Sequence, residues 1–195
     1  MAPRLPPPDD LGPVPFSITT EYGPREERLP LPTDVVGGPL AWLQAIHAAV
    51  YRGKCAAHFG GVPLKLKTHV DVEAIEELFV FLLELVDGGF GEWILRDKDQ
   101  TIVIEAQVFG PDADLEFGDE DGAAPRFRRV VFPKRAKVRL RALIEESARL
   151  IRRMIVEVTV ADPSFAGAEE LRSDLDELVA GVAHLPLTFD AADPT

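Results

Sequence analysis

Apolar and polar residues alternate along several short segments, and this period of two predicts β-strands. Phe16–Tyr22 alternates in this way and is expected to form a first strand at the edge of a sheet. Residues 92–96 and 101–109 flank the polar turn 97–100 and predict the clearest hairpin in the chain. Residues 114–117 are expected to add a short strand, which gives a run of neighbouring strands.

Four longer segments repeat their apolar residues every three or four positions, which is the period of an amphipathic helix. They span residues 39–52, 71–86, 134–156 and 168–182. The second is apolar around more than one stripe, so we expect it to be buried on most sides or to face both a sheet and a partner. The order of segments predicts the α+β class, with an antiparallel sheet of about four to five strands and three to four helices packed mainly on one face.

The strongest single signal is a strand followed by a proline and a long helix. Residues 126–132 are rich in β-forming residues, and Pro133 can end a strand ladder and occupy the first turn of a helix. Residues 134–156 contain no glycine or proline and predict a helix of about 22 residues, or roughly 33 Å. We expect the strand to complete the sheet begun by the hairpin, and the helix to cover that sheet.

Length and composition predict one globular domain with short tails. The chain has 195 residues, of which 46% are hydrophobic and 28% charged, and these values allow a core of ordinary size. Ten of the 17 prolines lie within residues 1–39, which favours a flexible, extended arm over residues 1–15. We therefore predict an α+β domain over residues 16–183 and a tail over residues 184–195.

Charge and the character of the first residues indicate the compartment and the class of partner. The N-terminal residues lack the apolar segment of a secretory signal, and the single cysteine, Cys55, excludes an internal disulfide, so a cytoplasmic protein is expected. The apolar run 78–83 is too short to span a bilayer, so no membrane association is predicted. A net charge of −12 disfavours general nucleic-acid binding and suits either solubility or a basic protein partner.

An acidic cluster is the first candidate site. It consists of Asp112, Asp114, Glu116, Asp119, Glu120 and Asp121. Its spacing departs from a calcium loop of the EF-hand type, because Phe117 stands where that loop requires glycine and predicted strands replace the flanking helices. We interpret the cluster as the solvated tip of a hairpin and, in functional terms, as a docking surface for a basic partner.

A basic cluster that follows directly is the second candidate site. It consists of Arg126, Arg128, Lys134, Arg135 and Arg139. These side chains are candidates for binding an anion such as phosphate. In a helix that starts at residue 134, however, Lys134, Arg135 and Lys137 would lie in the first turn and oppose the helix dipole. An anionic neighbour is then needed, and we favour a carboxylate of this chain or of a second subunit over a nucleic acid.

Residue types used in catalysis and metal binding are present without a recognised spacing. Cys55, His58 and His69 form the pattern C-x2-H-x10-H, but a zinc site needs four ligands and usually a second close pair. The chain contains no glycine-rich phosphate loop and no nucleophile elbow. We therefore predict no metal and no cofactor, and an enzyme would need a dispersed Cys/His or carboxylate site.

The sequence favours a non-enzymatic, cytoplasmic protein-binding module. In character, though without any shared motif, such a chain resembles the small acidic immunity proteins of bacterial toxin systems. Two alternatives stay open: an enzyme with a dispersed site, and phosphate or nucleic-acid binding through residues 126–141. A homodimer formed through the 71–86 helix or the 134–156 helix is compatible with the protein-binding interpretation.

Overall fold

The fold is that of a computed structural model of the chain. It describes residues 12–22, 38–50, 53–60, 62–66, 74–97, 100–118, 126–127, 130–131, 134–165 and 167–187. The elements are β1 (Phe16–Tyr22), α1 (Pro39–Val50), β2 (Gly53–Phe59), β3 (Val62–Leu66), α2 (Ala74–Gly88), β4 (Phe90–Asp97), β5 (Gln100–Phe109), β6 (Asp112–Gly118), β7 (Arg126–Phe127), β8 (Val130–Val131), β9 (Arg135–Arg139), α3 (Leu140–Ala161) and α4 (Ala168–Val182). The α+β class that the sequence predicts is confirmed.

The longer strands form two antiparallel sheets where the sequence predicts one. The first sheet has the order β1-β2-β3 and the second the order β4-β5-β6-β9, while β7 and β8 pair with each other. The predicted hairpin is present as β4 and β5. The sheets meet where the amide of Val14 donates to the carbonyl of Lys137 (2.7 Å). They also meet where the rings of Phe59 and Phe117 pack edge to face, 5.1 Å between centroids.

The prediction for residues 126–156 is wrong at the start of the helix. Arg135–Arg139 forms β9 and pairs with β6, and α3 begins only at Leu140. The strand that completes the second sheet is therefore β9 and not the 126–132 segment. A short run without glycine or proline suits either a strand or a first helical turn. The acids of β6, which lie opposite the cations of β9, favour the strand, and these cations then no longer oppose the helix dipole.

One hydrophobic core joins both sheets to the helices. The apolar stripe predicted for α3 is buried along its length, and Ile144, Ile151 and Ile155 have no exposed surface. The apolar face of α4 is buried in the same core. It consists of Leu171, Leu175, Leu178 and Val182. The stripes that the sequence predicts for these two helices are therefore the faces that the fold buries.

The second helix packs closely against β4, and this contact positions the surface described below. A Cβ atom on Gly91 would lie 3.0 Å from both the carbonyl oxygen and the ring of Phe81, so glycine permits the close approach of α2. The ring of Phe81 also stacks on Trp93 of β4, 6.0 Å between centroids. In the described part of the chain, no helix is both long enough and apolar enough to cross a membrane.

Candidate protein-binding surface

The three acids of β6 lie on a partly exposed face of the second sheet. Asp112, Asp114 and Glu116 alternate with buried apolar residues, as the sequence of a half-buried strand requires. The interpretation of these acids as a hairpin tip is therefore wrong, because they belong to a strand with a neighbour on each side. The other three predicted acids, at residues 119–121, lie outside the described residues.

Two arginines predicted to bind an anion contact these acids instead. Arg139 donates to Asp112 at 3.0 Å, and Arg135 donates to Glu116 at 3.1 Å. Lys134 lies 3.8 Å from the same Glu116 carboxylate. Each arginine stands directly across from its acid in the register of β6 and β9, so the ladder itself creates the ion pairs.

The acidic and basic candidates thus form one charge ladder and not two separate sites. The backbone of Arg126 belongs to β7, which pairs with β8. Arg128 lies outside the described residues. The arginines of β9 are already close to carboxylates, and an external phosphate would have to compete with those carboxylates for them.

Asp114 is the member of this ladder with the weakest ion pair. Its Oδ1 atom is 4.0 Å from the Nζ atom of Lys137. Both carboxylate oxygens are removed from solvent, and neither accepts a hydrogen bond from the described residues. Burial raises the pKa of Asp114 above its usual value, although the positive charge of Lys137 opposes that effect.

The two described histidines among these candidates, His47 and His58, lie on different elements. Cys55 and His58 both lie on β2, and the ring Nε2 of His58 shares a hydrogen bond with the hydroxyl of Thr19 at 2.8 Å. His47 is buried on α1, and His69 lies outside the described residues. Among described side chains, no three histidine, cysteine, aspartate or glutamate residues form a group that could hold a metal ion.

A groove between α2 and β4 is the surface that sequence reasoning located only in part. Three large apolar side chains are exposed along it: Val80 by 45%, Leu83 by 36% and Phe90 by 51%. The groove has a volume of about 560 Å³. The excess of apolar residues in the 71–86 segment indicated a partner-facing helix, but only the fold places Phe90 beside that helix.

Carboxylates line the same groove. Glu84, Asp87 and Glu92 stand beside the apolar side chains, and no described lysine or arginine lines the groove. None of these three carboxylates takes part in an ion pair with any described residue. We call this surface, lined by Val80, Leu83, Glu84, Asp87, Gly88, Phe90 and Glu92, the α2–β4 groove. Its negative charge is available to an external cation, in contrast to the acids of β6.

A smaller cavity of about 380 Å³ lies between β1, β9 and α3. Its charged lining residues are engaged within the chain: Glu145 bonds to Arg141 at 2.7 Å, and Glu146 accepts a hydrogen bond from the Ile18 amide at 3.2 Å. Arg139 is the cation paired with Asp112 in the ladder. This cavity is therefore a packing seam between the two sheets, and the α2–β4 groove is the better candidate for binding.

Comparison of the chain with protein-family models, with curated proteins and with solved structures finds no match.

Proposed function

We propose that this chain is a non-enzymatic, cytoplasmic protein-binding module whose α2–β4 groove binds a basic, partly apolar segment of another protein. The observation that carries the proposal is the combination of three exposed apolar side chains with three carboxylates that form no ion pair with a described residue. Exposed apolar side chains bordered by polar residues are a feature of protein-binding surfaces, and three such side chains adjoin one groove here. Neutralisation of a basic toxin by an immunity-type protein is one form that such a function takes.

The apolar side chains are the expected source of affinity. Complete burial of one large apolar side chain contributes about 1.5–3 kcal/mol. Val80 and Phe90 are about half exposed and Leu83 about one third, so covering all three would contribute about 3 kcal/mol. That contribution suits a segment that fills the groove with two or three valine-sized or leucine-sized side chains.

The carboxylates are the expected source of selectivity. An ion pair on an exposed surface contributes only about 0–1 kcal/mol. Three carboxylates of one sign nevertheless attract cationic segments, repel acidic ones and raise the rate of encounter. Glu84, Asp87 and Glu92 therefore favour a partner in which lysine or arginine flanks the apolar residues.

The same charges disfavour a symmetric dimer through α2. This helix carries Glu76, Glu77, Glu84 and Asp87 and no lysine or arginine. A two-fold contact along the helix would bring these carboxylates close to their own copies, and like charges in such positions are repulsive. A partner of opposite charge fits the groove better than a second copy of the chain.

Two peptides of opposite charge test the proposal. The first is a heptapeptide of alternating lysine and valine, which we call the Lys–Val peptide, and the second replaces every lysine with glutamate. We expect the Lys–Val peptide to shift the amide NMR signals of Leu83 and Phe90 and to bind more weakly as salt rises. The glutamate peptide is expected to bind at least tenfold more weakly, because the carboxylates of the groove repel it.

A pair of protein variants locates the binding surface. Leu83→Asn replaces an apolar side chain of the groove with a polar one of similar size and adds no charge, and it is expected to weaken binding of the Lys–Val peptide about threefold to sixfold. Val160→Asn places the same kind of change on an exposed position of α3, where Val160 is 57% exposed, and is expected to leave binding within twofold. Equal loss in both variants, or equal binding of the two peptides, would contradict the proposal.

A further inference from the structure

The second sheet ends at β4, and this free edge adjoins the proposed binding groove. The strand order β4-β5-β6-β9 gives β4 a single described neighbour. Phe90 and Glu92 belong to β4 and also line the α2–β4 groove. An exposed strand edge carries backbone donors and acceptors that an incoming extended segment can pair with.

The phase of the β4–β5 ladder identifies which backbone groups face outward. The amide of Val108 donates to the carbonyl of Gly89 at 2.8 Å, and the register continues as Phe90 opposite Gln107. In an antiparallel pair, residues at alternate positions direct both backbone groups towards the partner strand. Gly91 and the residues at every second position after it therefore face β5. The amide and carbonyl of Phe90, and of the residues two and four positions after it, face the open edge.

Side chains of α3 cover the corresponding edge of β1. The Ile18 amide donates to Glu146 at 3.2 Å, and Arg149 donates to the Ile18 carbonyl at 2.9 Å. The edge of β9 receives a hydrogen bond from the Val14 amide. Over the described chain, the outward backbone groups of Phe90 and Glu92 receive no such cover. Among the described residues, the inner edges of the two sheets are therefore covered, and none covers the outer edge of β4.

The two sides of the groove match the two sides of an added strand. Successive side chains of a strand point to opposite faces of the sheet. One set would face Val80 and Leu83 on α2, which packs on the side of Gly91. The other set would lie beside Phe90 and Glu92, whose side chains are exposed on the opposite face.

We propose that the partner segment binds in extended form and pairs with β4 as a fifth strand of the second sheet. This inference rests on the proposed function and specifies its geometry. The segment carries apolar residues at the positions that face α2, and lysine or arginine at the alternate positions beside Glu92 and towards its ends. Main-chain hydrogen bonds to β4 provide affinity that does not depend on side-chain identity, and the groove selects the side chains.

Amide hydrogen exchange of the wild-type chain with the Lys–Val peptide gives the first test. We expect exchange of the Glu92 and Ile94 amides to slow at least tenfold in the complex, because these amides face the open edge. The Trp93 amide already faces β5 and is expected to slow by less than twofold. Unchanged exchange at Glu92 and Ile94 in a saturated complex would overturn the strand-addition geometry.

N-methylated peptides give the second test. Methylation of the valine amides and of the lysine amides in turn blocks alternate hydrogen-bond donors along the peptide backbone. An added strand predicts that one set weakens binding at least tenfold and the other by less than twofold, because only one set faces β4. Equal weakening by both sets would indicate a helical or irregular bound segment and would overturn the inference.

Variants at Glu92 separate the backbone from the charge. Glu92→Pro removes an outward amide that takes no part in the β4–β5 ladder, and proline is tolerated at such positions on edge strands. It is expected to weaken binding at least fivefold beyond the matched variant Glu92→Ala. Groove binding that is sensitive to Leu83→Asn but indifferent to Glu92→Pro and to N-methylation would overturn strand addition alone. Absence of any binding to the groove would instead overturn the proposed function.

Discussion

At the scale of single residues, His47 makes the described structure sensitive to acid. Its side chain is buried on α1, and burial lowers the pKa of His47 to about 4, although Glu157 opposes this effect. In the unfolded chain the imidazole has a pKa near 6.5. Because the folded pKa is the lower one, protonation favours unfolding as the pH falls from about 6.5 to about 4.

We expect the fall in pH from about 6.5 to about 4 to lower the free energy of unfolding by about 3 kcal/mol. Each unit of difference between the folded and unfolded pKa corresponds to about 1.4 kcal/mol. Urea unfolding of the wild-type chain and of His47→Gln at pH 7 and at pH 4 measures the effect. The Gln variant should lose less stability than the wild type over the same interval. Parallel loss in both proteins would show that other groups cause the acid sensitivity.

Asp114 has the opposite effect on the pH dependence of stability. Its folded pKa lies above its unfolded value, so the folded state binds the proton more tightly. Stability therefore falls as the pH rises from the unfolded to the folded pKa of Asp114, and it stays at the lower level above that. Asp114→Asn removes this charge and should leave stability at pH 7 unchanged or higher. Chemical unfolding at pH 4 and pH 7 checks the prediction.

The matched control for that variant is Asp112→Asn. Asp112 accepts a hydrogen bond from Arg139 at 3.0 Å, so its loss is expected to cost about 1–2 kcal/mol at pH 7. The two substitutions make the same chemical change on the same strand. An equal loss of stability in both would contradict the assignment of Asp114 as the poorly compensated member of the ladder.

At the scale of elements, the contact between α2 and β4 depends on Gly91. An alanine there would place its Cβ atom 3.0 Å from backbone and ring atoms of Phe81, and forced overpacking of this kind costs about 1–3 kcal/mol. Gly88→Ala is the control, because a Cβ atom on Gly88 meets no atom within 4 Å. Thermal unfolding should show a lower midpoint for Gly91→Ala and an unchanged or higher midpoint for Gly88→Ala.

The helices and the hairpin could be predicted from local pattern, whereas the start of α3 could not. Ala168–Val182 has the bounds that its apolar period indicates, because a helix that buries one stripe carries its own signal. Residues 135–139 carry no such signal. Their state depends on β6, whose acids stand opposite Arg135 and Arg139, and these pairs join residues 19 and 27 positions apart.

At the scale of the whole molecule, pairing across the sheet changes the meaning of the charge clusters. The sequence places acids and bases in neighbouring segments, and the fold sets several of them face to face on β6 and β9. That part of the charge is largely satisfied within the chain. The negative charge is less compensated where carboxylates have no described lysine or arginine beside them, and the α2–β4 groove is such a place.

The groove also shows why the candidate surface could be predicted only in part. Val80 and Leu83 belong to a helix whose excess of apolar residues is visible in the sequence. In the sequence, Phe90 and Glu92 are ordinary residues of a strand. They belong to the candidate surface only because the chain turns at Gly89 and β4 then runs beside α2. A surface made by two elements requires their packing to be known.

The position of a bound Lys–Val peptide is the most direct test of the central claim that the α2–β4 groove binds a basic, partly apolar segment. A nitroxide label at one end of the peptide broadens NMR signals of nearby amides. We predict broadening at Leu83 and Phe90 and none at Val160 on α3. Broadening centred on α3 or on the β6–β9 ladder, or spread evenly over the surface, would contradict the claim.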